Sequence, residues 1–272
     1  MTELDSLGDV CGTPGQPARV WTPPERREEF ERCRQEQSQC RVRVGGVRAA
    51  VEGSDADLRR ESARVLGRIV RSHGCEADAA DPCAWISDDP GPSRSICPEL
   101  AFAVPLLMQT VTDPDWQVGL GALDGLVLAS PRDEDIEPLA RWLRDPPPDD
   151  GDGSRFRMGV ATVLGRAGAR ATPATDALAW VAAQPHPNDS VKVLALRALA
   201  QIGPGALAAV PTLVSLMADE SWSVRHAALD AMRSIAPHDA RAEAMIERGQ
   251  GDPSEDVRNA AKALRAAGSG RR

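Results

Sequence analysis

Four histidines and six cysteines are the residues in this 272-residue chain best suited to holding a metal or attacking a substrate. Their spacing points away from both. His73, His186, His226 and His238 are dispersed, and no His-Glu pair recurs. Cys75, Cys83 and Cys97 stand eight and fourteen residues apart, unlike the close pairs of structural zinc sites, so idle thiols are expected rather than a zinc or cluster site completed by His73. There is no Gly-x-Ser-x-Gly elbow or phosphate-binding glycine loop, and Cys75 near His73 is the one such nucleophile-base neighbour pair. The sequence therefore assigns no catalytic residue, metal ligand or cofactor.

More distinctive are cations and apolar side chains at helical spacing, and the elements that position them repeat. From Val224, apolar or small residues recur at Ala227, Ala228, Ala231, Met232 and Ile235, one stripe of a helix. The template recurs 33 residues earlier, from Val191 through Ala195, Ala198 and Leu199 to Ile202, and 33 residues later from Val257 through Ala260, Ala261 and Leu264. Less regular copies start at Phe156, Val118 and Leu58. A period of that length signals stacked two-helix units. The preceding helix repeats too: residues 207–219 match 101–113, with Pro211 and Pro105 each eight residues before an Asp. A proline at one fixed place implies a shared bend or helix start.

These residues resemble the HEAT repeat, in particular the short bacterial form named after phycobilisome lyases, over roughly residues 97 to 268 and more weakly 41 to 71. The resemblance implies an all-α fold, an α-solenoid of about five to six antiparallel helix pairs whose second helices line a concave surface. It also implies a ladder between neighbouring units, built from an Asp and an Arg six residues later. Asp219 with Arg225 and Asp252 with Arg258 fit. Asp113 faces Gly119, and Arg157 and Lys192 lack the matching Asp, so a less regular middle is expected. The di-metal hydroxylases on this fold are a poor match to the scattered histidines. Alkylpurine DNA glycosylases use a Trp and a catalytic Asp, which Trp116 with Asp124 or Trp222 with Asp230 could mimic, but a Trp at those helix starts is expected to pack between units.

Composition narrows the class. Aromatics are 3% with no Tyr, so burial must come from Ala, Leu and Val; nearly all the base is Arg, and the Ala, Gly and Pro content fits a GC-rich bacterial genome. A net charge of −8 argues against nucleic acid as the main partner. The acidic excess between Arg132 and Asp152 suits solubility or a basic partner, whereas Leu58 to Arg71 carries five Arg against one Glu. No apolar run approaches the ~20 residues of a membrane span, and the first twenty residues lack a signal core. A cytoplasmic protein with reduced cysteines is expected.

In chain order the expected parts are a flexible tail at 1–22; a capping helix, degenerate first repeat and Cys-containing insertion at 23–96; the repeat array at 97–268; and a frayed end at 269–272. The helix starting at Thr22 is expected to cover the open end of the stack or serve as a recruiting arm. Asp145 to Ser154, with its proline run, is expected to project as a solvated connector. Gly168, Gly203 and Gly268 sit where second helices would take a left-handed C-cap.

The candidate site is the inner face of the second helices. Its residues are Leu120 and Asp124; Arg157, Met158, Thr162 and Arg166; Lys192, Val193, Arg197 and Gln201; and Arg225, His226, Asp230 and Arg233. Leu120, Met158 and Val193 are apolar where solvent would favour charge, giving an apolar floor edged by Arg that suits an amphipathic helix or extended peptide. The bland counterpart is that these three pack against neighbouring units while the Arg residues pair with acids. The function expected is a non-enzymatic scaffold or regulator that binds another protein or peptide. The alternatives are an enzyme on the same fold, a DNA glycosylase or bilin lyase, and an inhibitor of a basic effector.

Overall fold

A computed structural model describes residues 46–73, 102–148, 151 and 153–269. The tail, the helix expected from Thr22, all six cysteines and the insertion before Cys97 lie outside the described residues. Every regular element among the described residues is helical, and the chain divides into two compact units between Ser130 and Pro131.

In the first unit a helical stretch at 46–51 is followed by α1 (Ala56–His73), α2 (Ala103–Thr110) and α3 (Trp116–Ala129). The second unit holds α4 (Ile136–Arg144), α5 (Ser154–Ala167), α6 (Thr175–Ala183), α7 (Asp189–Ile202), α8 (Val210–Leu216), α9 (Trp222–Ile235), α10 (Ala240–Gln250) and α11 (Glu255–Ser269). These form four successive pairs. The second helices α5, α7, α9 and α11 pack side by side in that order, and the first helices α4, α6, α8 and α10 form the opposite layer. This is the α-solenoid arrangement the period implied.

The stripe explains the stacking. Val118, Phe156, Val191, Val224 and Val257 are all buried, as are Ala195, Ala198, Ala228, Ala231 and Ala261. Small side chains let backbones approach closely, so the core is built from many short contacts. Leu58 departs from the template and is 48% exposed, although Ala63, Val65 and Leu66 further along α1 are buried. The recurring prolines mark helix starts: Pro211 lies in the first turn of α8, Pro105 is the third residue of α2, and Pro138 the third of α4. A first-turn proline removes only an N–H that has no partner inside the helix.

Second helices end at Gly168 (φ 59°, ψ −135°) and Gly203 (φ 71°, ψ −141°), each opening a 3₁₀ segment. These are positive-φ positions as expected, but ψ departs from a left-handed cap and lies in a region that only glycine enters without strain. The third expected cap was wrong: α11 runs through Gly268 to Ser269. The stretch Asp189–Leu216 has the length and apolarity of a membrane span. It is α7, a 3₁₀ turn and α8; Val191, Leu196, Leu199, Ile202, Val210 and Leu213 are in the core, whereas Leu207 is 53% exposed and Val193 half-buried.

The first unit is closed by glycine. A Cβ on Gly125 would sit 2.6 Å from the Ala63 carbonyl oxygen and 3.0 Å from Leu107, one on Gly121 would lie 2.8 Å from the Arg60 carbonyl oxygen, and one on Gly67 would run into the Gly125 backbone. The α1 and α3 backbones therefore meet across facing small residues. A Gly125→Leu variant is expected to lose about 3 kcal/mol of stability through overpacking against backbone that cannot move aside. Thermal unfolding checks this, with Gly46→Ala, where a Cβ meets nothing within 4 Å, as the silent control.

Candidate functional site

The side chains at the loop edge and those on the second-helix face lie one residue apart in sequence and do different work. In the second unit, Arg225 Nε and Nη2 donate to the two Asp252 carboxylate oxygens at 2.7 and 2.8 Å, across to the next loop. Its Nη1 donates to the Asp219 and Glu220 carbonyls of its own loop, both at 2.9 Å. Arg258 repeats the second half, donating to the Asp252 and Pro253 carbonyls at 2.7 and 2.8 Å. Lys192 Nζ reaches Asp219 at 2.8 Å. Each carboxylate also accepts a backbone N–H two residues on, from Ser221 and Ser254, and so fixes the entry to the following helix.

The same device stands in the first unit. Arg59 donates to both Asp113 oxygens at 3.0 Å and to the Gly53 and Ser54 carbonyls. Asp113 was expected to lack a partner because Gly119 follows it six residues later; its cation comes instead from α1. Likewise Lys192 does have an Asp, in the loop that follows it. Arg157 donates to the Leu143 carbonyl at 2.9 Å, and the corresponding later loop carries His186, whose Nε2 lies 3.1 Å from the Val181 carbonyl. Among the second helices of the second unit the irregularity is thus confined to that joint.

These pairs are largely desolvated: the Arg225 and Asp252 side chains are 12% and 6% exposed. The hydrogen bonds from Arg225 hold the Asp252 carboxyl below its usual range, and the Asp252 carboxylate in turn raises the Arg225 guanidinium. Arg157, Lys192 and Arg225, expected to edge the groove, are therefore occupied at the loop edge.

The face itself retains the next positions. Met158 and Val193 are half-buried at matching places on α5 and α7, with His226 at the same place on α9. One turn further stand Thr162, Arg197 and Asp230, and a turn beyond them Arg166 and Gln201. The Thr162 hydroxyl donates to the Met158 carbonyl at 2.8 Å, leaving its methyl as the group presented. Asp230 accepts from Arg233 at 3.2 Å and lies 3.6 Å from His226 Nδ1. Arg166 and Arg197 are exposed, and among the described residues neither has an ion pair. In the first unit Leu120 is half-buried, and Asp124, rather than standing ready as a catalytic acid, accepts from Arg64 at 2.9 Å.

Two other expectations change. Trp222 was expected to pack between units and is 50% exposed, whereas Trp180 on α6 carries the Arg144 guanidinium 5.8 Å from its ring. The acidic stretch after Arg132 is partly neutralised within the unit: Arg132 pairs with Asp135 and Glu134, and Arg170 with Asp133. No group of three or more His, Cys, Asp or Glu side chains among the described residues is placed to hold a metal ion.

Residues 175–265 match the family model described as HEAT repeats. The α6-to-α11 segment is a HEAT-repeat array. No curated protein matches the chain in sequence. Among solved structures, a designed armadillo repeat protein in complex with the peptide (KR)4 is similar at TM-score 0.55 and 17% identity, covering 82% of this chain and 98% of that one. A second designed armadillo repeat protein gives 0.53 and 16% over the same shares. At such identities the likeness concerns the fold. The complex of CpcE and CpcF of phycocyanin lyase from Nostoc sp. covers 93% of this chain and 97% of that one at 18% identity, but at TM-score 0.39 it carries no argument.

Within the HEAT array the ladder predicts a pH signature. Because folding lowers the Asp252 pKa, its stabilisation is complete above the unfolded value of about 3.9 and disappears as pH falls through the folded value. Asp252→Asn should cost about 3 kcal/mol at neutral pH, the order expected for breaking a desolvated pair. The gap from wild type should narrow below about pH 4. Urea unfolding from pH 7 to pH 3 measures it.

Proposed function

We propose that this chain is a non-enzymatic, cytoplasmic protein-binding scaffold or regulator, and that the second-helix face of its HEAT array receives a segment of another protein. The observation that carries this reading is the pairing of Met158 with Val193. Two apolar side chains stand part-exposed at equivalent places on consecutive helices, beside Arg166 and Arg197, which the fold itself does not employ. A strip of partly exposed apolar surface rimmed by polar groups is what peptide-binding grooves present. The binding residues proposed in the second unit are Met158, Thr162, Arg166, Val193, Arg197, His226, Asp230 and Arg233, with Leu120 and Asp124 as their counterparts in the first. The designed armadillo protein bound to (KR)4 offers an architectural precedent for a peptide on stacked helices. Its ligand is basic, and the exposed charges here are basic too.

A photo-crosslinking residue placed at Val193 should yield a discrete adduct with a cellular protein, and one at Trp180, on the other helix layer, should not. The adduct should disappear when Met158→Asp is added, with the circular dichroism and melting temperature unchanged. Equal adducts from both positions, or persistence in the Met158→Asp background, would remove this reading.

A further inference from the structure

We infer that the occupant of the second-helix face is an acidic protein segment in extended conformation, with an apolar residue flanking its carboxylates. This rests on the proposed docking face and adds the chemistry of what docks. The chain as a whole carries −8, yet each of α5, α7, α9 and α11 has more basic than acidic side chains, and α5 has Arg155, Arg157 and Arg166 with no acid at all. Most of these cations are consumed: Lys192 and Arg225 hold the next loop's Asp, Arg157 and Arg258 bind loop carbonyls, and Arg233 holds Asp230. In the second unit Asp230 is the one acidic residue on the face described above, and it is already engaged. On the face described above Arg166 and Arg197 remain as unneutralised positive charge, with Lys262 exposed further along the array on α11. An extra charge on an otherwise acidic protein is complementary to carboxylate and repels a basic segment.

The geometry between the two guanidinium groups sets the spacing of the ligand. A Cβ on Gly165 would overlap the Gln201 side chain and stand 3.2 Å from Ala198 Cα, so its absence lets α7 close on α5 just beside Arg166. Arg166 lies one turn beyond Thr162, the counterpart of Arg197. With helix axes about 9 Å apart and a turn of about 5.4 Å, the two Cα atoms are about 11 Å apart. An extended chain covers that in about three residues. Met158 and Val193 lie one turn before the level of Arg197 and Thr162, so the apolar patch flanks the two charges on the N-terminal side of the helices, where a neighbouring apolar side chain of the ligand would cover it. Nucleic acid is the poorer ligand for this chemistry. Two free cations neutralise few phosphates, and Phe156, the aromatic nearest this face on α5, is buried and offers no stacking surface.

Selection of a random dodecapeptide display library on the full chain tests this, followed by fluorescence anisotropy of the enriched peptides and of a labelled oligo-dT. Enriched peptides should carry Asp or Glu two to four residues apart with Leu, Ile or Phe flanking them. They should bind at least tenfold more weakly to Arg166→Glu/Arg197→Glu, and Arg166→Lys/Arg197→Lys should retain most of the affinity. The charge-reversed protein should select basic peptides instead. Enrichment of neutral or basic peptides that still fail on Met158→Asp/Val193→Asp would overturn the acidic chemistry while leaving the docking face standing. No enrichment, or peptides indifferent to both double variants, would overturn both. Oligo-dT binding as tight as the best peptide, or self-association through the face seen by light scattering, would assign it to nucleic acid or to a second copy and defeat the inference.

Discussion

At three joints a single carboxylate governs how neighbouring helix pairs are set against each other. Asp113, Asp219 and Asp252 each use one oxygen to anchor the start of the following helix, and each receives a cation from the second helix of the preceding pair. A core of Ala, Val and Leu contacts can slide or rotate by small amounts at little cost, because no single contact is large. A bidentate, mostly desolvated ion pair cannot, since its strength depends on angle as well as distance. Each charge-assisted hydrogen bond of this kind contributes about 1.5–3 kcal/mol. Hydrophobic burial makes the units stack, and the ladder decides at what rotation.

The ladder in turn determines what the second-helix face can offer. Cations that follow the buried valine by one residue are turned to the loop edge, so only positions further along each helix reach the face with their charge intact. The result is a surface whose positive groups are few and flanked by apolar side chains, on a molecule whose net charge is negative. Such a surface discriminates by spacing as well as by sign. It is also rigid, because Arg157, Lys192 and Arg225 beside it are fixed by the same bonds that hold the units together.

Much of this architecture was legible in the residues. The period from Val191 to Val257, the helix-starting prolines and the positive-φ glycines Gly168 and Gly203 are local signals, and local signals survive in a one-dimensional reading. The ladder was legible only in half. The Asp and Arg six residues apart are visible, but the spacing of 27 residues between Lys192 and Asp219, and again between Arg225 and Asp252, joins different units. With an insertion between its partners, Arg59 finds Asp113 at 54 residues, a separation no short motif encodes. The candidate face suffered from the same gap, since alternation along a helix places Arg157, Lys192 and Arg225 beside the face without revealing that neighbouring carboxylates and carbonyls pull their charged ends away. Close approach at Gly67 and Gly125 was hidden for a similar reason: a glycine in a helix reads as a weakness until the opposing glycine is known.

The account depends most on the charge of one unit being spent on the next rather than within its own loop. A double-mutant cycle on folding stability isolates that term, comparing Arg225→Ala with Asp252→Asn and, separately, Arg225→Ala with Asp219→Asn. The account predicts a coupling of about 2 kcal/mol for the first pair and near zero for the second, since Arg225 reaches Asp219 through its backbone carbonyl. Equal couplings, or a larger one within the loop, would contradict it.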